Sequence, residues 1–251
     1  MEFKAIFKIP QEKSSAGILT FSFLLAIVSS LNFKLMNFFI ALFSYFMFFL
    51  TFDYLFKNSS NPFKTNYMFV LFLDALPVFL AFLLSGIKVI LGLLPSLVCI
   101  GLYFNYAFKR EGRSTKAIVV GSSIISGLYY YFSSIFGTLT LERILIGFIF
   151  FIYNAAQVLY VESKLNFRHV NPVYPLIIFL TSFLAIIFLP FYFIVQLFEP
   201  LIKLSANVFK NTKISKYEDI NLLGVKEFAR YILFIFILSF LVLYSNFLLY
   251  K

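Results

Sequence analysis

Pro172–Phe209 reads PVYPLIIFLTSFLAIIFLPFYFIVQLFEPLIKLSANVF and holds no charged residue before Glu199. It is nearly twice as long as the about 20 apolar residues that carry one helix across a bilayer. Pro190 lies near its middle, and proline disfavours helical geometry in the residue before it, here Leu189. The stretch therefore divides into two crossings, 172–188 and 190–208. Reading it as one crossing instead leaves eight in the chain.

The rest of the sequence repeats the same texture. Apolar stretches at 15–31, 34–55, 66–86, 88–108, 116–137, 141–162 and 222–248 complete a set of nine. Each is apolar on all sides, which suits a helix in lipid better than an amphipathic helix on a soluble core. The expected fold is all-α, a polytopic transmembrane helical bundle of about nine helices. A basic lead-in, 1–14, precedes a single transmembrane domain, 15–251.

Orientation follows from the basic residues. One set of connections carries Lys4, Lys8, Lys13, Lys57, Lys64, Lys109, Arg110, Arg113, Lys116, Lys164, Arg168, Lys203, Lys210, Lys213, Lys216, Lys226 and Arg230. The alternate set carries only Lys34, Lys88, Arg143 and Lys251, a ratio of 17 to 4. Loops that stay in the cytoplasm keep Lys and Arg, so the N-terminus is expected inside and the C-terminus outside a cell membrane. The split at Pro190 is what makes the residues after Lys203 cytoplasmic.

Composition excludes a soluble domain. Hydrophobic residues make up 61% of the chain, charged residues 13%, and the mean hydropathy is +0.93. Soluble domains carry nearer a quarter charged residues. The net charge of +10 is spread over loops on one side, which points to anionic lipid head groups rather than nucleic acid. Cys99 is the only cysteine, so no intrachain disulfide forms. Trp is absent, which leaves interfacial anchoring to Tyr, including Tyr129, Tyr130 and Tyr131. Lys4, Lys8 and Lys13 ahead of an apolar run ending Val28-Ser29-Ser30 resemble a cleavable signal, but a second span begins almost at once, so the first is read as a retained helix. The sequon Asn58-Ser59-Ser60 falls in a cytoplasmic loop and is read as accidental.

Ionisable groups are expensive in hydrocarbon, so those inside the spans are informative. Asp53, Asp74, Asn105, Asn154, Gln157 and Glu162 all fall in the cytoplasmic halves of their spans and are the candidates for lining a water-accessible cavity. Gln196 and Glu199 descend the eighth span on the same side. The plainer reading pairs Asp53 with Lys57, Glu199 with Lys203 and Glu227 with Arg230 as helix-end ion pairs, and has Asn154 and Gln157 bond neighbouring helices. Asp74 has no basic residue within a turn and is the strongest single candidate. Small residues at Ser122, Ser123, Ser126 and Gly127 place the fifth span at the centre of the bundle.

Nucleotide, serine-hydrolase and metal motifs are missing. No P-loop, GxGxxG or GxSxG sequence occurs, and the one histidine, His169, has no Cys or His beside it. No metal site and no cofactor is read from the chain.

Ile9-Pro10-Gln11-Glu12-Lys13-Ser14-Ser15-Ala16-Gly17-Ile18-Leu19 resembles the opening of YwiC-like membrane proteins. Gly112-Arg113-Ser114, Leu159-Tyr160-Val161-Glu162-Ser163-Lys164 and Leu223-Gly224-Val225-Lys226-Glu227 are similar to further segments of that family. The resemblance implies a bundle like that of the UbiA prenyltransferases, which hold Mg²⁺-diphosphate on Asp-rich motifs after the second and sixth spans. This chain departs from both patterns. Lys13-Ser14 stands for the family's His-Gly and Ala16 for its Trp. Phe56 and Ser60 stand where acids would follow Asp53, and Asn166 follows Glu162.

The first functional expectation is a catalytically degenerate bundle that binds an isoprenoid or other membrane lipid in a cytoplasm-facing cavity. Lys13, Lys57, Arg113, Lys164, Lys226 and Arg230 are its candidates for holding an anionic head group through charge-assisted hydrogen bonds. Two alternatives stand beside it. One is a small-solute or ion-coupled transporter using Asp74 or Glu199, although Pro77, Pro95 and Pro190 give no two-fold pattern of interrupted helices. The other is a non-catalytic subunit that packs its Phe-rich surface against partners in a membrane complex.

Overall fold

The computed structural model describes residues 13–30, 33–59, 65–210 and 212–249. The lead-in residues 1–12, Lys64 and Lys251 lie outside the described residues, as do the side chain of Lys13 and the first four residues of the segment that opens at Ile9. Regular structure among the described residues is helical: α1 Lys13–Val28, α2 Leu35–Asn58, α3 Thr65–Ser85, α4 Ile87–Phe108, α5 Thr115–Phe136, α6 Leu141–Lys164, α7 Val173–Leu180, α8 Phe183–Ile186, α9 Val195–Lys210 and α10 Tyr217–Leu249. Six of these, α2 to α6 and α10, are long and apolar enough to cross a membrane. The chain is a polytopic helical membrane protein.

Its surface agrees with that assignment. Large apolar side chains such as Phe39, Phe72, Leu83, Val98, Ile187 and Phe209 are exposed, while Ser22, Ser44, Ser96, Ser126, Gln196 and Lys203 are buried. Lipid tails accept an apolar surface, and hydroxyls inside the bundle satisfy themselves on backbone carbonyls. The helices group into two compact units, Met1–Leu139 and Thr140–Lys251.

The first unit is built around α5, whose residues from Ser123 to Phe136 are nearly all buried. Ser114 caps its start by accepting from the Ala117 N–H at 3.2 Å. Along α4 the contacts run antiparallel. A Cβ on Gly92 would stand 2.6 Å from the Tyr130 carbonyl, and one on Gly127 would stand 2.7 Å from Ser96 Oγ. Two backbones approach closely there because neither helix has a side chain in the way. The Ser96 hydroxyl donates to the Ile124 carbonyl at 2.8 Å, and Ser22 of α1 donates to the Ile125 carbonyl at 3.1 Å. On the third side, Asn37 of α2 donates to the Ile135 carbonyl at 2.7 Å. The small residues therefore do what their spacing implies.

The three consecutive tyrosines do not sit at an interface. Tyr129, Tyr130 and Tyr131 are buried, Tyr131 shares a 2.8 Å hydrogen bond with Ser44, and Tyr129 donates to Ser29 at 3.3 Å. Ser44 of α2 and Ser29, just after α1, meet the Tyr131 and Tyr129 hydroxyls, which lets those rings fill the core.

In the second unit α6 and α10 run antiparallel. Ser245 donates to Glu142 at 2.6 Å near one end, and Gln157 donates to Glu227 toward the other. Between these points Tyr153 stacks on Phe234 with centroids 3.5 Å apart. The helix expected over 172–188 is interrupted. Thr181 and Ser182 turn their hydroxyls back onto the Ile178 and Phe179 carbonyls at 2.7 and 2.6 Å, and their own N–H groups bond three residues back instead of four. Such back-bonding competes with the helix ladder. The chain then turns at Pro190, which is extended, into the 3-10 turn Phe191–Ile194 and α9.

At the far end of α6, the Ile214 N–H donates to the Lys164 carbonyl at 2.8 Å and the Asn166 N–H to the Ile214 carbonyl at 3.0 Å. These bonds pin the α9–α10 connection against the end of α6. As a result Lys164, Lys203, Lys210, Lys213 and Arg230 collect at one end of the unit, with Arg143 about 30 Å away at the start of α6. At about 50 Å, α10 exceeds the hydrocarbon thickness, and its exposed first turns carry Glu218, Asp219 and Asn221.

Candidate functional site

The basic end of the second unit carries an open pocket of 620 Å³. Its polar groups come from three helices. Tyr160 and Lys164 end α6, Glu199, Lys203, Asn207 and Lys210 descend α9, and Arg230 belongs to α10. Steps of three and four residues place the α9 groups on one helix face. Lys203 and Asn207 on that face are buried, Glu199 is half-buried and Lys210 is exposed at its end, whereas Phe198, Ile202 and Phe209 on the other faces are all exposed. The polarity is the reverse of a soluble amphipathic helix.

Lys203 is buried and donates to Glu227 at 2.9 Å and to the side-chain carbonyl of Gln157. Gln157 in turn donates to the same Glu227 oxygen. The other Glu227 oxygen accepts from Arg230 at 2.6 Å, and Arg230 reaches Glu199 at 3.5 Å. This sequence of contacts alternates charge and neutralises itself. The Tyr160 ring lies 4.7 Å from the Lys203 ammonium and 5.7 Å from that of Lys164, within reach of a cation–π attraction to each.

Lys164 and Lys210 are left over in this pairing. Lys164 donates to the Thr212 hydroxyl at 3.0 Å and packs beside Tyr160, without a carboxylate contact among the described residues. Lys213 stands close enough to add to their repulsion and donates to the Ser163 carbonyl at 2.7 Å. Four cations, Lys164, Lys203, Lys210 and Arg230, line the pocket against one carboxylate, Glu199, and Glu227 lies behind it. The surplus is positive even after both acids are counted. An anionic group is what such a pocket suits, with an apolar tail accommodated along Phe198 and Ile202.

The sequence candidates fall in several places. Of the proposed head-group ligands, Lys164 and Arg230 line the pocket, and Lys226 is exposed without lining it. Lys57 reaches Asp53 at 3.4 Å, and Arg113 is exposed at the start of α5. Among the cavity candidates, Gln157 joins the Lys203–Glu227 network. Glu162 is buried against Arg168 at 3.1 Å, and Asn154 is buried in α6. Asn105 is exposed near the end of α4 and lines neither of the two pockets, because its helix turns it away from α5. Asp74 lines a separate cavity in the first unit.

Glu199 pairs with Arg230 rather than with Lys203 four residues on, since Glu227 offers Lys203 a more buried partner. The sequence offers Lys203 only as a helix-end partner of Glu199, and does not offer Lys210, Asn207 or Tyr160 as site residues. Their signal is Glu199, Lys203, Asn207 and Lys210 recurring every three or four residues in an otherwise apolar stretch.

No family model, characterised protein or solved structure matches the chain. The donor set can still be tested against the Mg²⁺-diphosphate that a UbiA-like site implies. Asp53 is bound to Lys57 and Glu162 to Arg168, one acid at each position. Among the described residues no group of three or more His, Cys, Asp or Glu side chains is placed to hold a metal ion. Mg²⁺ prefers an octahedron of oxygens, usually with carboxylates free to join it, so these residues do not fit that group.

Proposed function

We propose that this chain is a lipid-binding membrane protein, which holds the anionic head group of an isoprenoid phosphate or another acidic lipid in the pocket between α6, α9 and α10. The observation that carries the reading is the uncompensated pair Lys164 and Lys210, set above a neutralised network and beside an exposed apolar helix face. An anion there gains two or more charge-assisted donors without breaking the Lys203–Glu227 pair. The basic-residue alternation supports a cytoplasmic position for this end, where the leaflet is itself anionic. The resemblance to YwiC-like proteins supports the same assignment, as a binding bundle in which the catalytic acids have been lost.

The test is enrichment. The full chain, purified in mild detergent, should carry phosphate-bearing lipid at several times its share of the source membrane, read by mass spectrometry of the extract. Lys164→Ala with Lys210→Ala should bring that ratio down to the bulk value while leaving the protein monodisperse. Bulk lipid proportions in the parent protein, or enrichment untouched by the double substitution, would remove the proposal.

A further inference from the structure

The first unit contains a second cavity, of 340 Å³, whose chemistry is the opposite of the basic pocket. Its walls include the aromatic residues Phe48, Phe52, Phe56, Tyr67, Tyr103 and Phe104. Among the described residues Asp74 is the one charged residue lining it, and none of those lining it is Lys, Arg or His. The volume lies in the lower range of small-molecule sites.

The hydrogen bonds around Asp74 do not saturate it. Thr51 Oγ1 lies 3.0 and 2.9 Å from the two carboxylate oxygens, and 2.8 Å from the Met47 carbonyl. A hydroxyl has one hydrogen, so these three acceptors share a single donor, whereas an ionised carboxylate offers about four lone-pair sites. Asp53, on the preceding helix, is already committed to Lys57 and does not line the cavity. Asp74 is thus a half-buried acceptor with capacity to spare, set among aromatic faces that attract cations. A ligand that suits both must bring N–H donors, a positive charge and a compact apolar body.

We propose that this cavity binds a small lipophilic ammonium ion, with its N–H groups on Asp74 and its hydrocarbon against the aromatic walls. The site is independent of the anionic-lipid pocket, and either can fail alone. The probe pair is 1-aminoadamantane and its neutral isostere 1-adamantanol, measured by equilibrium dialysis against the full chain in nanodiscs, with empty nanodiscs subtracted.

The amine is expected to bind at least tenfold more tightly than the alcohol, both in the parent protein and in Asp53→Asn. Asp74→Asn should bring the two affinities together. Equal binding of amine and alcohol by the parent protein overturns the proposal whether or not Asp74→Asn folds. A preference that survives in a folded Asp74→Asn protein overturns it as well. Unchanged discrimination in Lys164→Ala with Lys210→Ala is expected, and its loss there would place the ligand in the wrong unit.

Discussion

Lys203 and Glu227 show how a polar residue is kept inside a lipid-facing bundle. Each is almost fully withdrawn from solvent, and each charge is matched by an opposite charge and a further hydrogen bond, donated by Lys203 to Gln157 and accepted by Glu227 from Arg230. Breaking such a pair leaves one charge uncompensated, at a cost of about 3–5 kcal/mol, whereas replacing both members with apolar side chains of similar volume is far milder. Lys203→Met and Glu227→Met should therefore each destabilise the protein by about that amount. The double substitution should recover most of the loss. Equilibrium unfolding in mixed micelles measures all three, and additive losses in the double variant would mean that the pair is not coupled. The individual acids and bases were legible as buried or helix-end groups. Which acid meets which base was not, because Lys203 chooses between a carboxylate four residues away on its own helix and one delivered by α10.

Among the elements, α4 and α5 are held by the absence of side chains. Gly92 and Gly127 face backbone or Ser96 at distances no Cβ tolerates, while Gly101, in the same helix as Gly92, has nothing within 4 Å. Gly92→Ala and Gly127→Ala should each destabilise by about 1–3 kcal/mol, as overpacking does. Gly101→Ala should instead stabilise slightly, by up to about 1 kcal/mol, through helix propensity. Thermal denaturation of the three variants in detergent checks the contrast, and equal effects would show that the close approach is not what holds the helices. The small-residue spacing of α5 was readable in the sequence, and so was the turn at Pro190. The break at Thr181-Ser182 was not, because hydroxyl back-bonding is available to any helical Ser or Thr and interrupts the helix only where packing favours the turn. Pro77, Pro95 and Pro200 make the converse point, since each lies inside a helix that continues through it.

For the molecule as a whole, the testable quantity is topology. Six helices meet the length and hydropathy of a crossing. The two shorter apolar segments, Ser14–Val28 and Val173–Ile186, together with α9, decide whether the total is nine. A nine-span chain with its basic loops inside should give an active alkaline phosphatase fusion at the C-terminus and an inactive one after Lys213. An inactive C-terminal fusion would reverse the assignment of the last crossing, and with it the sidedness of the basic pocket. Apolar stretches determined by themselves that this is a polytopic helical membrane protein and roughly where its long helices lie, because the bilayer imposes length and hydropathy on every segment independently of its neighbours. Only tertiary structure decided that Lys164, Lys203, Lys210 and Arg230 share one pocket, that Asp74 lies in an aromatic cavity and that Tyr129–Tyr131 are core. These depend on helix rotation and on which helix packs against which, and a uniformly apolar helix carries no stripe from which that rotation can be read.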